Sequence, residues 1–202
     1  TFYNIKLRVT TDDGEGVLCR LRKEIEAEVT SKIKQIAFSI SVNESVIYNT
    51  VWSLTHHLMV NTTQFVYGMT ASCRSIPING IENLVGAVLN IVPVPITIEK
   101  GTSINRFLGV VKNLLSSIRI YEELPLTAIQ NEISRSIRML DVIFDYQPYD
   151  WNVSLSEQND LLMTGCVLRD QVGTPLTFRV YNSKERCEIQ ACSECEDFNS
   201  HL

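Results

Sequence analysis

Residues 64–98 read QFVYGMTASCRSIPINGIENLVGAVLNIVPVPITI, and the two ends of this stretch decide what kind of fold the chain can adopt. Its opening, QFVYGMTAS (64–72), is rich in the aromatic and β-branched residues that suit a pleated surface, so a strand is expected there. Gly68, Thr70 and Ser72 alternate along one face of that strand. Its close, AVLNIVPVPITI (87–98), forms a second expected strand. Pro93 and Pro95 cannot donate to a ladder and so place part of it at a sheet edge or a bulge.

Outward from this pair, helical and strand patterns alternate. FYNIKLRV (2–9) alternates as a strand, and TDDGEG after it is an acidic turn without calcium-loop spacing. Leu18, Leu21, Ile25, Val29, Ile33 and Ile36 recur every three or four residues, which predicts a helix from Val17 to about Ala37. Ser41-Val-Asn-Glu44 fits a capping box for the next helix, whose buried stripe is expected to be Ile47, Val51, Leu54 and Leu58. That helix carries His56 and His57 on different sides, near its C-terminal end. Ser103 to Tyr121 is the strongest helix pattern, with Ile104, Phe107, Leu108, Val111, Leu114, Leu115 and Ile118 on one side. Pro125 suits the first turn of a short helix to about Ile133. Strands then come together at about 139–147, 161–169, 175–182 and 186–192, with the long polar loop QPYDWNVSLSEQND among them. The expected fold is α/β or α+β: a mixed β-sheet packed against helices.

Composition narrows the function. The 202 residues suit one domain or two small lobes, with 45% hydrophobic and 20% charged residues. Phosphate contacts need a basic face, and a net charge of −5 argues against nucleic acid as the partner. No apolar run approaches the roughly 20 residues that span a bilayer. No signal peptide is visible and the chain starts at Thr1, as an excerpt of something longer would. The six cysteines lack the dense spacing of a secreted scaffold, so a reducing, cytoplasmic setting is expected. Three short matches to the glycosylation pattern, at Asn43, Asn61 and Asn152, are of the kind chance supplies. Cys187, Cys192, Cys195 and His201 could supply four zinc ligands, or form an unpaired thiol cluster. A strand over 186–192 turns Cys187 away from Cys192, which favours the thiols. No Walker loop, dinucleotide glycine fingerprint or Ser-His-Asp spacing occurs.

Four segments, in this order, resemble the condensation domains of nonribosomal peptide synthetases. VYGMTASCR (66–74) resembles their V-x-G-x-x-x-S-G-R stretch, and IPINGIENLVGAVLNIVP (76–93) resembles I-P-G-I-E-x-M-V-G-x-F-x-N-T-x-P. YEELPLTAI (121–129) is similar to H-Q-x-x-P-F-E, and RMLDVIFDYQ (138–147) to P-L-F-x-V-x-F-x-x-Q. The resemblance implies a chloramphenicol acetyltransferase-like fold of two lobes with a substrate tunnel between them. It identifies residues 1–202 as the C-terminal lobe.

In that family the catalytic His-His-x-x-x-Asp-Gly lies in the N-terminal lobe, so HHLMVNT (56–62) is expected to be scaffold and the chain to carry no catalytic residue. A general base must be held with its tautomer and reach set, and Asn61 cannot brace a loop as the family's aspartate does. The resemblance makes Asn90, Gly86, Gly68, Thr70, Ser72 and Arg74 candidates for the tunnel wall. The Asn90 amide would bond a pantetheine or substrate carbonyl, or simply local backbone. Gly86 would serve a close backbone approach. Arg74 would hold a carrier phosphate, an interlobe carboxylate or a structural salt bridge. Residues 148–160 would be a latch crossing to the other lobe, or an ordinary exposed connection.

Departures from the family pattern are Cys73 for glycine, Val88 for an aromatic, Ile91 for threonine, Pro95 for arginine, Tyr121-Glu122 for His-Gln, and one extra residue between Pro77 and Gly80. The implied partners are the N-terminal lobe and acyl or peptidyl carrier proteins. Their phosphopantetheine arms deliver the substrates, and no cofactor is bound directly. Self-association through an open interlobe face is a further expectation. The rival readings are a degenerate carrier-binding lobe without chemistry, and a lobe of a coenzyme A-dependent acyltransferase, which would need a basic nucleotide pocket. Substrates, stereochemistry and module context are not written in the residues.

Overall fold

The alternation seen at 64–71 builds the sheet. The computed structural model describes residues 19–74, 77–133, 140–148, 174–182 and 187–193. Within them run β1 (Cys19–Ile25), α1 (Ala27–Ser39), α2 (Glu44–Val60), β2 (Gln64–Ala71), β3 (Asn90–Thr97), α3 (Ile104–Ile118), α4 (Leu126–Ile133), β4 (Val142–Gln147), β5 (Leu176–Asn182) and β6 (Cys187–Ser193). Single 3-10 turns lie at Ile81–Asn83 and Arg119–Tyr121. The strands form one six-stranded sheet in the order β1-β6-β5-β4-β2-β3. β4 is parallel to both β2 and β5, and the remaining pairs are antiparallel. No described helix is long and apolar enough to cross a membrane.

One sheet face packs on helices. Phe65 and Tyr67 of β2, Val92, Val94 and Ile96 of β3, Val142 and Phe144 of β4, and Leu176 and Val180 of β5 form a core with α2 and α3. Trp52 of α2 is its centre, stacked on Phe178 at 4.5 Å and on Phe144 at 5.9 Å between ring centroids. Such pairs add about 0.5–1.5 kcal/mol beyond the area they bury. β3 is the sheet edge that Pro93 and Pro95 required. Both prolines stand at the same parity, so their missing donors fall on one side of the strand.

The other face also carries buried side chains, polar ones over β5 and β6 and apolar Ile143 beside Gly68. Asp145 of β4 lies directly opposite Arg179 of β5, with Nε 3.2 Å from Oδ2. Gln147 Nε2 donates to the same Oδ2 at 2.8 Å, and Gln190 Nε2 donates to Glu188 Oε1 at 2.6 Å.

Three expectations are corrected. Residues 17–37 are not one helix: 19–25 form the edge strand β1, paired with β6, and the helix begins only at Ala27. The spacing Leu18-Leu21-Ile25 fits a helix locally, but backbone pairing with the far end of the chain decides. The N-cap of α2 is Asn43, whose Oδ1 accepts from Ser45 N at 2.9 Å; Ser41 instead takes a left-handed turn with φ 51°. The buried stripe of α2 includes Ile47 but runs through Asn49, Thr50, Trp52, Ser53 and His56, leaving Val51 and Leu58 exposed. These polar residues tolerate burial because they satisfy themselves: Asn49 donates to Ser45 O, Thr50 to Val46 O and Ser53 to Asn49 O, each four residues back. Tyr67 OH donates to Asn49 Oδ1 at 3.0 Å, tying the helix to β2.

The remaining helices and strands match within a few residues. The expected strands at 2–9 and 161–169 and most of the 148–160 loop lie outside the described residues, as do the side chains of Cys192, Cys195 and His201. Cys187 is buried, with its Sγ 3.3 Å from Tyr48 OH.

Candidate functional site

β2 ends at Ala71, and the chain beyond it forms a clasp. Ser72 is exposed, and Cys73 takes φ 50°, in the left-handed region that glycine enters freely and other residues at a cost of about 1–2 kcal/mol. The turn aims the Cys73 thiol at the chain beyond α3, where Sγ donates to Glu122 O at 3.1 Å. Burial, with the Glu122 and Glu123 carboxylates nearby, pushes this thiol up, which keeps it a donor. Arg74 is the next residue. Its Nη1 donates to Ile81 O at 2.7 Å and Glu82 O at 3.4 Å, and its Nη2 to Leu84 O at 3.1 Å. These carbonyls lie in and just after a 3-10 turn, and Ile81 O also accepts from Leu84 N at 3.3 Å.

From the first residue of β3, Asn90 Nδ2 donates to Glu122 O at 2.7 Å and Leu124 O at 2.8 Å. Cys73 and Asn90 therefore converge on one carbonyl. Two connections, 77–89 and 119–125, are tied to the same end of the β2–β3 pair. Apolar side chains remain exposed around the ties: Val85 (98%), Leu89 (71%), Ile120 (71%) and Tyr121 (53%).

The six candidate wall residues divide. Asn90 and Arg74 act on this clasp, through backbone carbonyls rather than through a carboxylate. Both protons of the Asn90 amide are committed, so bonding a substrate carbonyl, which needs a donor, is not what the side chain offers; its Oδ1 remains an acceptor. Gly68 is a packing residue. A Cβ there would stand 2.7 Å from Ile91 Cγ2 and 3.0 Å from Leu140 Cδ1. Gly68→Ala is expected to cost about 1–3 kcal/mol by overpacking, read as a lower urea midpoint at unchanged slope. Thr70 is half-buried opposite Ile91. Ser72 is exposed and falls just past the strand. At Gly86 nothing lies within 4 Å of an added Cβ, but φ is 158°, a conformation that side chains rarely adopt, so glycine is favoured there by its backbone rather than by a close contact.

The two histidines belong to the scaffold of α2. His56 is 1% exposed, with its ring among Trp52, Phe65 and Tyr67. Its Nδ1 has no hydrogen-bond partner among the described residues. His57 Nδ1 is 2.6 Å from Thr62 O, a geometry in which the ring nitrogen donates. Asn61, where the family motif has aspartate, is the left-handed C-cap of the helix at φ 49°.

Two features escaped the residue-level reading. The Glu122 carbonyl as a shared acceptor has no signature in sequence, although Cys73 at a glycine position marked one end of it. The Asp145–Arg179 pair was marked more plainly, by one charge inside each of the apolar runs VIFDY and LTFRVY.

A model of the Condensation domain family matches residues 11–199. Among curated relatives, chondramide synthase of Chondromyces crocatus is 25% identical over 161 residues, covering 79% of this chain and 4% of the relative. The nonribosomal peptide synthetase GRA1 of Gibberella zeae is 34% identical over 93 residues, covering 46% of this chain and 1% of the relative. The chain thus spans a few per cent of the curated relatives it matches. Among solved structures, the condensation domain from the monacolin K polyketide synthase MokA superposes with a TM-score of 0.77 at 9% identity, over 91% of this chain and 44% of that one. The epimerization domain from the third module of tyrocidine synthetase B superposes with a TM-score of 0.69 at 14% identity, over 96% of this chain and 46% of that one.

Proposed function

The chain belongs to the condensation domain family, and on that premise we propose that residues 1–202 are the C-terminal lobe of a domain that forms amide bonds in nonribosomal peptide synthesis. The observation that carries this reading is the family match across 11–199 on a chain spanning less than half of the solved neighbours. The His-His-x-x-x-Asp-Gly signature is not among these residues, and the base comes from the other lobe.

In the assembled domain a donor acyl or peptidyl thioester and an acceptor amine arrive on the phosphopantetheine arms of carrier proteins. The amine attacks the thioester carbonyl, the C–N bond forms through an oxyanion, and the carrier thiol leaves with a proton. This lobe contributes a wall: Arg74 and Asn90 hold the 77–89 and 119–125 connections, whose exposed apolar side chains face the substrates or the other lobe. Asn90 Oδ1 suits an N–H of an incoming arm or amine. The chain works in the cytoplasm and is silent alone.

A second reading is a lobe that docks carriers without chemistry. The specific observation in its favour is that Ile91, Leu140 and Ile143 crowd the space beside Gly68, a candidate residue of the tunnel wall. The fold also serves epimerization as well as condensation domains, so fold alone does not choose.

The test is an intact-mass assay with acyl-loaded donor and aminoacyl-loaded acceptor carriers. This chain is assayed alone and with the separately expressed N-terminal half of its domain. Product only from the mixture is the expected result. Product from this chain alone overturns the lobe assignment, and carrier binding without product from the mixture favours the second reading.

A further inference from the structure

The one Asn-Gly pair in the sequence, Asn79-Gly80, sits where it can react with itself. Gly80 has φ 81° and ψ 6°, and Ile81 N donates to Ile78 O at 3.2 Å. Residues 78–81 are therefore a type II turn, with Asn79 and Gly80 as its two central residues. Both are exposed, and nothing lies within 4 Å of the place a Cβ on Gly80 would occupy. The peptide plane between them is free to rotate, because glycine imposes no side-chain clash on either side of the flip. Rotation from a type II towards a type I turn carries the Gly80 nitrogen past the Asn79 side chain.

We infer that Asn79 is a self-modification site, converting to aspartate and isoaspartate through a succinimide, and that this loosens the loop held by Arg74. The Gly80 amide nitrogen, losing its proton to solvent base, attacks Asn79 Cγ. The new C–N bond closes a five-membered ring, and the Cγ–Nδ2 bond breaks to release ammonia. Water then opens the ring at either carbonyl, and no oxidant or reductant takes part. Opening at the backbone carbonyl leaves isoaspartate, whose extra backbone methylene displaces the chain just before the Ile81, Glu82 and Leu84 carbonyls that Arg74 binds. Either product adds a carboxylate to a chain already at −5, beside Glu82.

Neighbouring asparagines provide internal controls. Asn61 is equally exposed but is followed by β-branched Thr62, which shields the attacking nitrogen. Asn90 has its amide held by two carbonyls. The inference stands apart from the proposed function, since the ring closure needs only the turn and its surroundings.

The experiment incubates the intact folded chain in mildly alkaline buffer at 37 °C, with a matched sample in urea, and follows each asparagine by peptide mass. Digests are labelled with an isoaspartyl methyltransferase. Expected is conversion of Asn79 several-fold faster than of Asn61 in the folded chain, with methylation confined to that peptide and abolished by Asn79→Gln. Conversion only in urea, or at the rate of Asn61, overturns the site. Limited proteolysis between residues 77 and 89 should accelerate in the converted chain and not in Asn79→Gln. Unchanged cleavage after full conversion overturns the loosening.

Discussion

Replacing Asp145 by leucine is expected to destabilise the fold by about 3–5 kcal/mol, the cost of deleting one partner of a buried ion pair. The pair lies on the sheet face turned away from the helices. Its side chains are 8% and 10% exposed, with a Nε–Oδ2 distance of 3.2 Å. The deletion also removes the acceptor of Gln147 Nε2. The arginine keeps its charge in response, because a guanidinium is not deprotonated in proteins. The reciprocal change, Arg179→Met, deletes the other partner of the same buried pair and is expected to destabilise by a similar amount. The double variant Asp145→Leu with Arg179→Met should recover much of the loss. Urea unfolding of the four proteins checks all three statements. A double variant no more stable than Asp145→Leu alone would show that the face needs the charges and not merely their balance.

Stability should also fall as pH falls from about 6.5 towards 4, with His56 as a main cause. Burial among aromatic rings lowers its pKa from 6.5 to about 4. Between those values the unfolded chain binds a proton at this site and the folded chain does not, so the unfolded state is favoured as pH drops. The stabilising contribution is fully present above about 6.5 and gone below about 4. At 1.36 kcal/mol per unit, it amounts to about 3 kcal/mol across the window. His56→Gln should be less stable at pH 8, because it gives up ring packing against Trp52 and Phe65. The difference between the two proteins, plotted against pH, should shrink steadily below 6.5. A constant difference down to pH 4 would mean that His56 takes up its proton without unfolding the chain. Carboxylates titrating in the same range cancel in that difference.

The parts of the fold that were legible in the residues are those whose evidence is local. The β-forming residues at 64–72 and 87–98, the prolines of β3 and the apolar spacing of α3 each report on a single element, and each element stands within a few residues of where it was expected. HHLMVNT was expected to be scaffold because Asn61 cannot brace a loop as an aspartate does; in the folded chain Asn61 is the left-handed C-cap of α2 and His56 packs among aromatic rings. Misreadings arose where a distant partner decides. Cys19–Ile25 has helical spacing, yet it is a strand because Cys187–Ser193 offers it a ladder. The stripe of α2 was misplaced because hydropathy rates Asn49, Thr50 and Ser53 as polar, whereas their bonds to carbonyls four residues back let them be buried.

The candidate site shows the same division. Four ordered motifs, each a run of neighbouring residues, were enough to point to the family, to a mixed sheet packed on helices, and to Asn90 and Arg74 as residues of interest. Which carbonyls those side chains bond is visible only in the folded chain. Asn90 meets Glu122 and Leu124 across 32 and 34 residues of sequence, and Cys73 meets the same Glu122 carbonyl across 49. Residue type says how many hydrogen bonds a side chain can make. Only the tertiary structure decides which of them are already spent on backbone, because that depends on what packing brings within 3 Å, and so what remains for a substrate.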